Sequence, residues 1–132
     1  MHSRLSEAYN NLGTILFEQG QFDGAVRNFL QSIEIQLDVA EVHLNLEVTL
    51  TSARRITNAI KALRQAVQLE PTCSEAHNNL GICLGTTGQF DLTINTFREA
   101  LRHQPDYENA HKNLAHTLEM QRQETAQTTP SP

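Results

Sequence analysis

The apolar residues of this chain repeat with a period of 34 residues. Leucine recurs four times at this spacing, at Leu12, Leu46, Leu80 and Leu114. Two further apolar positions recur in the same register, at Phe22, Ile56 and Phe90 and at Phe29, Leu63 and Phe97. A fixed period of this length is typical of a solenoid, in which each unit buries its apolar face only against its neighbours.

Each period contains two segments in which the apolar residues have helical spacing. In the third period, the segment that starts at Ala76 has apolar residues at i, i+4, i+7 and i+8. Gly88 then ends this segment, because glycine readily takes the left-handed conformation of a helix C-cap, and Pro105 ends the next one. The pattern predicts seven helices and no strand, near residues 4–19, 22–36, 40–53, 56–69, 74–87, 90–103 and 108–122. The turns within a period are short, so successive helices must be antiparallel.

These segments predict one all-α domain over residues 1–124. It would contain three repeats, at about 6–39, 40–73 and 74–107, and a capping helix at about 108–122. The remaining residues, 125–132, are polar and include two prolines, so we expect a disordered tail. Two helix starts carry the residue pairs of a capping box, Asp38 with Glu41 and Thr72 with Glu75.

The repeated residues resemble the tetratricopeptide repeat, a family of 34-residue helix-turn-helix units. The first repeat supplies Tyr9, Leu12, Gly13, Gly20, Phe22, Ala25 and Phe29. The second supplies Leu46, Ala59, Ala66 and Pro71. The third supplies Leu80, Gly81, Gly88, Phe90, Phe97, Ala100 and Pro105. The resemblance implies a right-handed solenoid of antiparallel helix pairs that binds peptides on its concave surface, along the first helix of each repeat.

The second repeat departs from the family pattern at two positions. Glu47 takes a place that is small in the other repeats, so its carboxylate is expected to reach outward or to push the helices apart. Arg54 replaces the turn glycine, where a left-handed backbone would cost about 1 kcal/mol or more. We therefore predict that the turn of the second repeat differs from the other two.

Asparagine recurs in the same register as the leucines, one position earlier, at Asn11, Asn45, Asn79 and Asn113. A carboxamide has both a donor and an acceptor, so such a series could pair with the backbone of an extended peptide. The series resembles the asparagine ladder in the repeat domain of O-linked N-acetylglucosamine transferase. The alternative is that these asparagines only cap or bridge adjacent helices. The resemblance places further peptide-binding candidates on the same groove, at Asn10, Leu44, Asn78, Val48, Ile82 and Lys112. Leu44, Val48 and Ile82 would either form an apolar pocket or pack between helices.

The best-known binding mode of the family, a carboxylate clamp, does not match this chain. Glu7 and Glu75 occupy places where the clamp has lysine, and Asn79 occupies a place where it has arginine. Carboxylates that face a ligand carboxylate repel it, so we expect a neutral or basic ligand. Alternatively, Glu7, Glu41 and Glu75 are first-turn acids that the helix dipole favours.

No residue pattern indicates an enzyme or a cofactor. His43, His77 and His111 share the repeat spacing, but equivalent places in stacked helix pairs are about 8–10 Å apart, too far for one zinc ion. We therefore expect no metal and interpret the three as packing residues. No nucleophile elbow or phosphate-binding loop occurs. Cys73 and Cys83 lack a CxxC spacing and fit reduced thiols.

Composition narrows the class of partner. The net charge of −5 removes the usual electrostatic attraction to nucleic acid and to anionic membranes. Neither a membrane span nor a secretory signal is recognisable, so we expect a cytoplasmic location.

The sequence thus favours a protein-interaction scaffold that binds a peptide or protein segment. Two alternatives remain open. The chain would be a targeting module of a larger enzyme such as a glycosyltransferase, or it would assemble with itself through an apolar edge at Leu5, Leu12 and Leu16.

Overall fold

The structure is a computed structural model that describes residues 2–128, with side chains from residue 4 onward. These residues form seven α-helices and no strand, as the sequence predicts. The helices are α1 (His2–Glu18), α2 (Phe22–Ile35), α3 (Ala40–Ser52), α4 (Ile56–Leu69), α5 (Ser74–Gly85), α6 (Phe90–His103) and α7 (Glu108–Thr128). None of them is long and apolar enough to cross a membrane.

The helix boundaries agree with the prediction to within about two residues except at the end of α7. This helix continues to Thr128 and so includes residues 125–128 of the segment expected to be disordered. The Thr125 hydroxyl donates to the Gln121 carbonyl and the Thr128 hydroxyl to the Thr125 carbonyl, which accommodates both threonines in a helix. Residues 129–132 lie outside the described part of the chain.

The chain divides into two compact units. The domain predicted over residues 1–124 stays a prediction. The N-terminal unit, Met1–Pro71, contains α1 to α4, and the C-terminal unit, Thr72–Pro132, contains α5 to α7. In the N-terminal unit, each helix packs on the next. In the C-terminal unit, α5 packs on α6, and α7 contacts both. Phe29 and Leu63 are fully buried in the first core, as Phe97 is in the second.

Two glycines allow the helices of a repeat to approach closely. A Cβ added at Gly13 would lie 2.7 Å from the Phe29 ring, and one at Gly81 would lie 2.5 Å from the Phe97 ring. Both distances are shorter than van der Waals contact, so any larger residue at these positions would require the facing phenylalanine ring to move.

The second repeat carries Glu47 at this position and Leu63 in place of the phenylalanine. The expectation that the Glu47 side chain reaches outward is wrong, because Glu47 is only 4% exposed. Its carboxylate accepts a hydrogen bond from the Thr51 hydroxyl at 3.1 Å. Leucine is smaller than phenylalanine, which gives the glutamate room in the repeat where the glycine is missing.

The turn of the second repeat follows the same path as that of the first, so the prediction of a different turn is wrong. Arg54 has φ 62°, close to the φ of 76° at Gly20 and of 78° at Gly88. The Arg55 N–H donates to the Leu50 carbonyl at 2.7 Å, and its counterpart in the first repeat makes the same bond at 2.9 Å. Packing of α3 on α4 therefore holds Arg54 in a conformation that costs about 1–2 kcal/mol.

The two predicted capping boxes do not form. The N-cap residues are Val39 for α3 and Cys73 for α5, and neither makes a side-chain cap hydrogen bond. Each helix begins one residue later than a cap at Asp38 or Thr72 requires.

Candidate functional site

Each unit contains a pocket in the same part of the repeat. The N-terminal pocket has a volume of about 220 Å³ and is lined by Thr14, Phe17, Glu18, Phe29, Asn45, Val48 and Thr49. The C-terminal pocket has a volume of about 210 Å³. Seven of its residues stand two periods after those of the first pocket: Ile82, Gly85, Thr86, Phe97, Asn113, His116 and Thr117. The remaining residues that line it are Gly81, Phe90, Thr93 and Met120.

An asparagine pair lies beside each pocket. The Asn45 side-chain amide donates to the Asn10 side-chain oxygen at 3.0 Å. In the C-terminal unit, the Asn113 amide donates to the Asn78 oxygen at 3.1 Å. Asn45 and Asn113 therefore bridge adjacent first helices, which is the alternative that the sequence left open for the series.

In each bridge, the side-chain oxygen of the donating asparagine is not used as an acceptor. Among the residues that the structure describes, none donates a hydrogen bond to the side-chain oxygen of Asn45 or of Asn113. Both residues are half-buried and line their pockets. Each oxygen is therefore an acceptor at a pocket, held in place by the bond that the same carboxamide donates.

The other predicted site residues lie in varied surroundings. Val48 is 39% exposed and lines the N-terminal pocket, and Ile82 is 44% exposed and lines the C-terminal one. Asn11 and Lys112 are exposed, whereas Leu44 and Asn79 are half-buried, and none of these four lines either pocket.

The residues that distinguish the two pockets are not among those predicted from the sequence. Phe17 and Gly85 occupy one repeat position, yet one carries a ring and the other carries no side chain. Met120 also lines a pocket, although it lies beyond the last complete repeat. A comparison of side-chain sizes between repeats, position by position, would have identified Phe17 and Gly85.

Exposed acidic side chains recur at one position of the three repeats, at Glu7, Glu41 and Glu75. Glu41 and Glu75 lie in the first turns of α3 and α5, whereas α1 begins at His2 and Glu7 lies beyond its first turn, so the first-turn interpretation is wrong for Glu7. In the C-terminal unit, burial and the negative charge of Glu75 raise the pKa of the Tyr107 hydroxyl, while its hydrogen bond with Asn78 opposes the shift. Glu75 and Asn78 therefore both act on the Tyr107 hydroxyl.

The histidines of the repeat register contact their own unit. The His43 ring lies 2.9 Å from the Leu37 carbonyl and the His111 ring 2.7 Å from the Pro105 carbonyl, measured from Nε2. The His77 ring stacks on His103 with centroids 5.7 Å apart. Within residues 2–128, no three His, Cys, Asp or Glu side chains are placed to share a metal ion. Neither Cys73 nor Cys83 forms a disulfide bond.

Two segments of the sequence match profiles of the same protein family. Sequence profiles described as tetratricopeptide repeat match residues 5–40 and 50–92, together more than half of the chain. No curated protein sequence matches.

Solved structures have the same fold. The TPR domain of Arabidopsis OM64 superposes with a TM-score of 0.85 at 16% identity, over 91% of this chain and 99% of that one. The first TPR of Spaghetti (RPAP3), bound to the HSP90 peptide SRMEEVD, has a TM-score of 0.85 at 15% identity, over 89% and 94%.

A mutant O-GlcNAc transferase from Thermobaculum terrenum is 26% identical with a TM-score of 0.78, over 89% of this chain and 23% of that one. The profile matches, the seven helices and the superpositions agree, and the chain belongs to the tetratricopeptide repeat family.

Proposed function

We propose that this protein is an interaction module that binds an extended peptide segment of a partner protein. The asparagine pairs would bind the peptide backbone, and the pockets beside them would take its side chains. Asn11 and Asn79 would extend the series. Peptide binding by the first TPR of RPAP3 supports this type of ligand.

The observation that carries the proposal is the available acceptor on Asn45 and on Asn113. An extended peptide presents N–H groups that need acceptors. Because each carboxamide already donates to the neighbouring asparagine, its oxygen is positioned before the peptide arrives, which lowers the entropy cost of binding.

Charge favours a neutral or basic ligand over an acidic one. Glu7, Glu41 and Glu75 are exposed on the first helices of the three repeats, and the chain as a whole carries a net charge of −5. An acidic peptide tail would be repelled by these carboxylates. The proposed ligand therefore differs from SRMEEVD, the peptide in the RPAP3 complex.

The test uses a neutral peptide selected for binding from a displayed random library. Its affinity is measured by calorimetry for the native chain, for Asn45→Ala, for Asn113→Ala and for the double variant. Each loss of a backbone hydrogen bond should cost about 1 kcal/mol, so the double variant should bind at least about tenfold more weakly. Asn95→Ala, an exposed asparagine on α6, is the matched control. Equal affinity of the folded double variant and the control would refute the proposal.

Self-association is a second candidate, favoured by the exposed apolar residues of α1. Leu5 is 52% exposed, Leu12 45% and Ile15 50%, and their spacing places them along one side of the helix. Light scattering over a concentration series distinguishes the two candidates. A dimer that Leu12→Gln dissociates supports this one, whereas a monomer at every concentration excludes it.

A role as the targeting module of a larger enzyme rests on the similarity to part of the Thermobaculum terrenum transferase. This candidate predicts that the chain is encoded next to, or assembles with, a catalytic domain. Purification of the native complex from its source would test it, and a chain isolated without any such domain would count against it.

A further inference from the structure

The two pockets differ most at the position of Phe17 and Gly85. In the N-terminal unit, the Phe17 ring packs on Phe22 with centroids 5.6 Å apart and planes tilted by 46°. Phe90 is the counterpart of Phe22 and lines the C-terminal pocket. In the C-terminal unit, the counterpart of Phe17 is Gly85, which has no ring to pack on Phe90. The C-terminal pocket therefore lacks an aromatic ring that the chain itself supplies in the N-terminal unit.

The fold does not require glycine at residue 85. Gly85 lacks the positive φ of Gly20 and Gly88. A Cβ added there would meet only the Thr93 methyl group, at an ordinary contact distance of 3.7 Å. Gly81 on the same helix is different, because a Cβ there would lie 2.5 Å from Phe97. Gly81 is needed for packing, whereas residue 85 has space beside it for a side chain.

We infer that the C-terminal pocket binds an aromatic side chain of the partner peptide, which takes the place that Phe17 occupies in the other unit. The inference rests on the proposed function and adds the class of side chain that is recognised. The volume of about 210 Å³ is sufficient, since an apolar cavity of about 150 Å³ holds benzene. Phe90 offers an aromatic partner, and Met120, 42% exposed, offers a sulfur contact to the ring.

The wall of this pocket also contains an unpaired hydroxyl group. Thr93 is 1% exposed and lines the pocket, and its hydroxyl has no hydrogen-bond partner among the described residues. The counterpart in the N-terminal unit is Ala25. The Thr93 hydroxyl oxygen is itself buried, so a ring in the pocket would contact the Thr93 methyl group, which faces residue 85.

The residues that line the C-terminal pocket favour an uncharged aromatic side chain of the partner. Glu18 lines the N-terminal pocket, but its counterpart in the C-terminal pocket is Thr86. Among the described residues, no Asp, Glu, Lys or Arg lines the C-terminal pocket, and His116 is the titratable residue in its lining. A charged group would lose its hydration there without gaining an ionic partner.

The test compares three neutral peptides that differ at one residue, which is phenylalanine, cyclohexylalanine or alanine. The native chain should bind the phenylalanine peptide about fivefold more tightly than the alanine peptide and measurably more tightly than the cyclohexylalanine one. Gly85→Phe fills the pocket and should bring the three affinities to within about twofold of one another. Gly85→Ala is the matched control, because it removes the glycine without filling the pocket, and it should keep the preference.

Equal binding of the three peptides by the native chain would overturn the inference, as would a preference that survives in Gly85→Phe. The proposed function fails separately, if Asn45→Ala and Asn113→Ala leave all three affinities unchanged. If no peptide binds, an NMR titration with toluene tests whether the pocket accepts an aromatic ring. Shifts of the amide resonances of residues 81 and 85 with toluene in the native chain and in Gly85→Ala, but none at Gly81 in Gly85→Phe, would support the pocket, and their absence would refute it. Circular dichroism and the dispersion of the NMR spectrum establish that each variant is folded.

Discussion

The N-terminal unit and the C-terminal unit depart from the repeat pattern in different places. The N-terminal unit departs at positions that form the helix-pair framework, where Glu47 is buried and Arg54 takes a left-handed conformation. The C-terminal unit keeps glycine at the close contact and at the turn, and it departs in its pocket, at Gly85 and Thr93. Framework positions can vary where a neighbouring residue compensates, whereas pocket positions vary with little effect on the helix pair.

The largest expected effect concerns the glycine contact. Gly81→Val should lower the free energy of unfolding by about 3 kcal/mol, because the new side chain must displace the Phe97 ring. Urea unfolding measures this loss. The second repeat has Glu47 and Leu63 at these two positions. Phe97→Leu should therefore relieve part of the clash that Gly81→Val creates. The double variant Gly81→Val/Phe97→Leu should then be more stable than the sum of the two single losses predicts. Strictly additive losses would show that Leu63 does not compensate for Glu47.

The next effect concerns the buried hydroxyl group of the C-terminal pocket. Thr93→Val keeps the shape of the side chain and removes an unpaired polar atom, so it should raise the free energy of unfolding by about 1–2 kcal/mol. Thr96→Val on the same helix is the matched control. The Thr96 hydroxyl donates to the Leu92 carbonyl, so this control should give no gain. A loss of stability in Thr93→Val would mean that the hydroxyl has a partner in solution.

The smallest effect concerns the turns. Arg54→Gly should raise the free energy of unfolding by about 1 kcal/mol, because glycine adopts a positive φ without the steric cost that arginine incurs. Gly88→Arg should have the opposite effect in the C-terminal unit. Thermal unfolding of both variants provides the measurement. No gain from Arg54→Gly would show that the turn relaxes to another conformation in solution.

The sequence predicts the helices well because their signals are local. Apolar spacing and the turn glycines place α2 and α6 within a residue of their observed ends. It fails at Arg54, because a local conformational cost does not include the packing of α3 on α4 that determines the turn. It also fails at the caps before α3 and α5, where a shift of one residue removes the predicted bond.

For the candidate site, the register places Asn45 and Asn113 at equivalent pockets. Their bonds to Asn10 and Asn78 could not be predicted with certainty, because the asparagine series fits a bridge as well as a ligand contact. The open pocket was not predicted either. Its shape depends on the side chain at Gly85, a position that lies outside the repeating apolar pattern.

The most direct test of the account exchanges the pocket residues between the two units. In the native chain, NMR titration with the phenylalanine peptide should shift the amide resonances of Gly81 and Asn113 more than those of Gly13 and Asn45. The double variant Phe17→Ala/Gly85→Phe removes the ring from the N-terminal pocket and places one in the C-terminal pocket, so the larger shifts should move to Gly13 and Asn45. Larger shifts that remain at Gly81 and Asn113 in the folded double variant would contradict the account.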